Sequence, residues 1–107
     1  MNIKQIQYFI SVAEHLNFTK AAKENYLSQT AISQQIKNLE DNLGFKLFIR
    51  NKHSVKLTPS GDVFFIESKS LIETLNNAVN KASLASFGYI GTITIGFLEG
   101  YENILWP

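Results

Sequence analysis

Cysteine is absent from this chain of 107 residues. Its absence rules out a disulfide framework and a thiolate metal site, and it fits a reducing compartment. No apolar run approaches the ~20 residues that a membrane helix needs. The opening residues, Met1-Asn2-Ile3-Lys4-Gln5, lack the charged and apolar regions of a signal peptide. The chain is therefore expected to be soluble and cytoplasmic. Nor is there a nucleophile paired with a base, a metal-ligand spacing or a phosphate loop. His15 sits at a helix end with no other His nearby and carries neither metal nor catalysis. No enzyme, cofactor or metal is expected. With 45% hydrophobic residues, the length allows one small core and leaves no room for a large enzyme cleft.

Charge is also scarce, at a net +1, but it is unevenly placed. Residues 1–58 carry eight Lys or Arg against Glu14, Glu24, Glu40 and Asp41, a balance of +4. Residues 59–107 carry Lys69 and Lys81 against five acids, a balance of −3. A basic first half beside an acidic remainder is the asymmetry of a molecule that meets a polyanion with one end.

The basic half is organised around residues 19–44, which read as two helices and a tight turn. Thr19 and Ser28 are good N-cap residues before runs of helical spacing, and Gly44 supplies the stop. Such a pair predicts a helix-turn-helix. In its second helix Ile32, Ile36, Leu39 and Leu43 form an apolar stripe. Gln29, Thr30, Ser33 and Gln34 project from the other face, with Lys37 a turn later. Amides and hydroxyls of this reach can give and accept hydrogen bonds at base edges in a major groove. Taken alone, such a face is more often a solvated one; its context decides.

Ahead of this pair, a first helix is expected from Ile3 to about Leu16, with Asn2 as N-cap and Gln5 completing a capping box. Ile6, Phe9, Ile10, Ala13 and Leu16 form its buried stripe, and Asn17 serves as the left-handed terminator. Phe18 and Tyr26 read as core aromatics among apolar neighbours, and Ala21 and Ala22 permit close helix approach.

After Gly44 the period becomes extended. Leu47–Arg50 and Val55–Leu57 are short β-prone runs around the polar turn Asn51-Lys52-His53-Ser54. A hairpin there is a wing. Between Phe45 and Leu57 stand Lys46, Arg50, Lys52 and Lys56 without one acid. This composition suits phosphates and a minor groove, although lysines also protect edge hairpins from aggregation. Thr58 then caps a helix with Pro59 in its first position and Asp62 in its first turn. Phe64, Ser68, Leu71, Leu75, Ala78, Ala82 and Ala85 alternate steps of four and three, widened by Ile72 and Val79. A helix over 59–86 would extend roughly 40 Å at ~1.5 Å per residue, more than so small a domain can cover. It calls for a partner chain.

The blocks Tyr8–Glu14, Asn17–Ala22, Leu27–Ile36, Leu39–Gly44, Leu47–Arg50 and Leu57–Gly61, in this order, resemble the N-terminal part of LysR-type transcriptional regulators. The resemblance covers nearly the whole chain. It implies a mainly α fold with a small β-hairpin: a winged helix-turn-helix DNA-binding domain over 1–58 and a dimerisation linker helix over 59–87. Residues 88–107 would begin a truncated effector-binding domain. By this resemblance Gln29, Thr30, Ser33 and Gln34 read bases, while Thr19, Ser28, Lys37, Arg50, Lys52, His53 and Lys56 hold the backbone or minor groove. Phe64, Leu71, Leu75, Ala78 and Ala82 pair two chains. The implied partners are double-stranded DNA at an interrupted palindrome and a second copy of the chain, with a tetramer open to the full-length protein. A small-molecule effector would belong to the missing domain.

Two positions depart from the common family pattern, where many relatives have Pro at the place of Thr30 and Arg or Lys at that of Gln34. Thr30 remains acceptable early in a helix. An amide at Gln34 favours adenine or water-mediated contacts over guanine. The tail Gly91–Phe97 alternates as a single half-buried strand, like the opening strand of the family's sensor domain. A competing reading of another class, a winged-helix module that binds protein, conflicts with the basic wing and the polar helix face.

Overall fold

Asn2 starts the first helix as its cap: its side chain accepts the Gln5 N–H at 2.8 Å, and α1 runs Ile3–His15. The computed structural model describes residues 1–87, so the strand expected over residues 91–97 lies outside the described residues. The remaining elements are α2 (Phe18–Glu24), α3 (Gln29–Leu43), β1 (Phe48–Arg50), β2 (Val55–Leu57) and α4 (Pro59–Ala85). Among the described residues the expected class holds: a mainly α winged helix-turn-helix with one antiparallel hairpin and a long helix after it. The described chain divides into two compact units, residues 1–69 and residues from 70 onward.

Several local expectations are corrected. Leu16, with φ 47°, is the left-handed terminator of α1, and its side chain is exposed rather than part of the buried stripe. Val12 fills that role from within the helix. Asn17 is extended and caps α2 by accepting the Lys20 N–H at 2.9 Å. The helix therefore begins at Phe18, and Thr19 lies inside it instead of capping it. Gln5 forms no capping box; its Nε2 donates to Gln35 Oε1 at 3.1 Å and ties α1 to α3. Tyr26 is 95% exposed with φ 56°. The left-handed backbone of the turn carries its ring into water, and the neighbouring Leu27 packs on the core instead.

Phe9, fully buried, is the hub of the first unit. Its ring lies 5.4 Å from Phe48 of β1, 5.3 Å from Phe64 and 6.3 Å from Phe65 of α4, and Phe18 meets Phe48 at 5.7 Å. Burying a ring of this size stabilises by about 2–3 kcal/mol, and tilted ring pairs add to it. Ile32, Ile36 and Leu39 close the core from α3 as their spacing requires.

The wing pairs Phe48 with Leu57, Ile49 with Lys56 and Arg50 with Val55. Asn51 Oδ1 accepts both the His53 and Ser54 N–H groups at 2.9 Å, so one side chain organises the turn. Thr58 then locks wing to helix. Its N–H donates to the Leu47 carbonyl at 3.0 Å, its hydroxyl donates to the Lys46 carbonyl at 2.8 Å, and that hydroxyl accepts the Gly61 N–H at 2.9 Å. Gly61 must be glycine here, because a Cβ would collide with the Leu47 carbonyl.

Within the first unit Phe64 and Phe65 pack on the core and Ser68 is buried. Phe64, expected to pair chains, is thereby committed to Phe9. In the second unit Leu71, Leu75 and Val79 are exposed, as are Ala78 and Ala82.

Candidate nucleic-acid interface

Ser28 caps α3, its hydroxyl accepting the Ala31 N–H at 3.0 Å, and Gln29 and Thr30 of the first turn are exposed. From there the apolar stripe faces the core, and the opposite face opens on a groove of about 800 Å³ between α3 and the wing. Gln29, Thr30, Ser33, Gln34 and Lys37 line it from the helix, and Lys46, Ile49 and Arg50 line it from the hairpin side. All four residues expected to read bases thus share one surface. Lys52, His53 and Lys56 are exposed on the hairpin and do not line this groove.

Arg50, on β1 of the wing, also reaches the helices. Its guanidinium stacks 3.9 Å from the centre of the Phe18 ring, and Nη1 donates to Ser33 Oγ at 2.7 Å. A desolvated face of the guanidinium thereby rests on an aromatic ring that itself belongs to the core. Thr19 reaches the recognition face as well, with Oγ1 donating to Gln29 Oε1 at 3.2 Å. One turn along, Gln34 Nε2 donates to Asn38 Oδ1 at 2.9 Å.

Glu40, which sequence reasoning treats only as a charge, has a structural task. It is 6% exposed, and Oε2 accepts the N–H groups of Leu47 at 2.7 Å and Phe48 at 3.3 Å, with Lys46 Nζ 3.9 Å from Oε1. A buried carboxylate holding two backbone donors fixes the start of β1 against α3. The available signal was its place four residues after Ile36, on the buried stripe.

A second polar cluster ties α1 to α2 behind the turn. His15 Nε2 bonds Glu24 Oε2 at 2.7 Å, Ser11 Oγ donates to Glu24 Oε1 at 3.0 Å, and Asn25 Nδ2 donates to Ser11 Oγ at 3.0 Å. The hydrogen bond with His15, followed by that from Ser11, holds the Glu24 carboxyl below its ordinary value. No group of three or more metal-ligating side chains occurs among the described residues, and none of their helices is long and apolar enough to cross a membrane.

Three helices, a polar helix face beside a basic hairpin and a long following helix define a winged helix-turn-helix regulator architecture. The chain belongs to the lysR family of bacterial regulatory helix-turn-helix proteins, whose family model matches residues 3–62. It is 37% identical over 98 residues to the HTH-type transcriptional regulator TfdS of Cupriavidus pinatubonensis, covering 92% of this chain and 33% of that protein. It is 37% identical over 99 residues to the glycine cleavage system transcriptional activator of Escherichia coli, again covering 92% of this chain and 32% of the relative. The chain thus spans about a third of the length of the curated relatives it matches. The crystal structure of the BenM_DBD/catB site 1 DNA complex is similar, with a TM-score of 0.79 at 34% identity over 82% of this chain and 98% of that one.

Proposed function

We propose that this chain binds double-stranded DNA sequence-specifically as a homodimer and regulates transcription from an interrupted-palindrome operator in the cytoplasm. The observation that carries the reading is the single groove in which Gln29, Thr30, Ser33 and Gln34 lie with Lys37, Lys46 and Arg50. Side chains able to read base edges sit beside cations able to hold phosphates, the two classes of contact that specific binding needs. The similar BenM_DBD structure is a complex with catB site 1 DNA, which supports the same reading. In the dimer, the exposed Leu71, Leu75, Ala78 and Ala82 supply the apolar contact between chains. Lys52, His53 and Lys56 act on the backbone or minor groove from the hairpin. A small-molecule effector acts on a sensor region outside the winged domain.

A salt series on duplex DNA tests the reading. Each phosphate neutralised should contribute about −0.9 to the slope of log affinity against log salt. A flat response would sink it and favour a protein interface with an apolar core.

A further inference from the structure

Beyond the Arg50–Val55 pair, the wing reverses direction at Lys52 and His53. Tight hairpins favour positive φ at the turning residues, because turns of the ordinary hand splay the strands. Among the described residues, positive φ occurs outside glycine only at Leu16 and Tyr26, so Lys52 and His53 turn without it. The side chain of Asn51 holds the turn closed instead. The Asn51 N–H donates to the Ser54 carbonyl at 3.0 Å, and the return bond comes to the side chain rather than the backbone. Oδ1 accepts the Ser54 N–H and the His53 N–H, each at 2.9 Å, with the Ser54 hydroxyl at 3.1 Å. Both backbone partners can only donate, so the amide must turn its oxygen towards them.

Resting on the DNA-binding reading above, we propose that Asn51 is a positioning residue for the wing: it holds the tip residues Lys52 and His53 in the form that meets the DNA backbone or minor groove. Both side chains are exposed, so the backbone beneath them decides where they stand. A tip already held in its bound form gives up less conformational freedom on binding than a frayed one. Asn51 therefore raises affinity without itself touching DNA. Contacts of this kind position the protein and carry no sequence information, so the gain is the same on every duplex.

The test titrates the whole chain and the variants N51A, N51S, K52A/H53A and N51A/K52A/H53A with mixed-sequence duplex DNA. Asn51 is exposed, so its truncation leaves the core of the unit alone. N51A should bind about threefold to tenfold more weakly, the worth of the hydrogen bonds it removes from the turn. N51S, whose hydroxyl accepts the same N–H groups more weakly, should fall between N51A and wild type. In the K52A/H53A background, itself weakened, the N51A change should cost nothing further, because its effect runs through the tip side chains. N51A binding like wild type, or N51S binding like N51A, would overturn the proposal. So would an equal loss from N51A in both backgrounds, which would give Asn51 a DNA contact or a purely structural role of its own. If K52A/H53A bound as tightly as wild type, the wing's part in the DNA-binding reading would fail and this proposal with it; if the wild-type chain bound no duplex, the whole reading would fail.

Discussion

Phe64, Phe65 and Ser68 lie on α4 as Leu71, Leu75 and Val79 do, yet the two groups meet different surroundings. The first stands against Phe9 or is buried with the core of its unit. The second keeps 38–49% of its surface open. A helical period identifies the apolar face of a helix and says nothing about what covers it. Covered by its own chain, such a face stabilises a fold; left open, it is available to a second chain.

The largest effect should come from emptying the covered side. Phe9→Ala removes the ring that Phe48, Phe64 and Phe65 pack around and should cost about 3–5 kcal/mol in chemical denaturation. A loss no greater than that of an exposed-site control would mean that the ring cluster does not hold the unit together. On the open side, Leu75→Lys should leave that unfolding free energy nearly unchanged and convert a dimer into monomers in sedimentation at tens of micromolar. Wild-type chain sedimenting as a monomer there would remove the role given to the open face.

The contrast extends to polar open surfaces. Gln29→Ala should cost about 1–3 kcal/mol on the operator and little on random DNA, whereas Lys52→Ala should weaken both alike. Equal losses on both DNAs for Gln29→Ala would take base reading away from that residue. The smallest effect concerns the clasp between α1 and α2. Because Glu24 is held below its ordinary carboxyl value in the folded chain, its contribution is fully present above that value and is lost as pH falls through the lowered one. Wild type should thus lose slightly more stability than Glu24→Gln on going from neutral to acidic solution, by a margin kept small by the exposure of the pair. Parallel acid profiles for the two proteins would show the clasp to be energetically silent.

The features legible in the sequence were those formed between residues close along the chain. The caps at Asn2 and Ser28, the stop at Gly44 and the Thr58 start of α4 each depend on a side chain or backbone form four or fewer residues from its partner. The two faces of α3 followed from its period for the same reason. Even locally, competition misled: Asn17 and Thr19 are both good caps, and Asn17 took α2 by starting it at Phe18, which is buried.

By itself, then, the sequence determined that a helix pair, a basic hairpin and a long helix follow one another, and that a polar face would stand clear of the core. Only the tertiary structure decided what each distant partner does. It set Arg50 on Phe18 and Ser33, put the Glu40 carboxylate on the amides of Leu47 and Phe48, and sent Tyr26 outward while Phe64 went to Phe9. The physical reason is that a cap competes only with the groups around it, whereas a contact across 17 residues, as between Arg50 and Ser33, exists only after α3 and the wing have packed on a shared core.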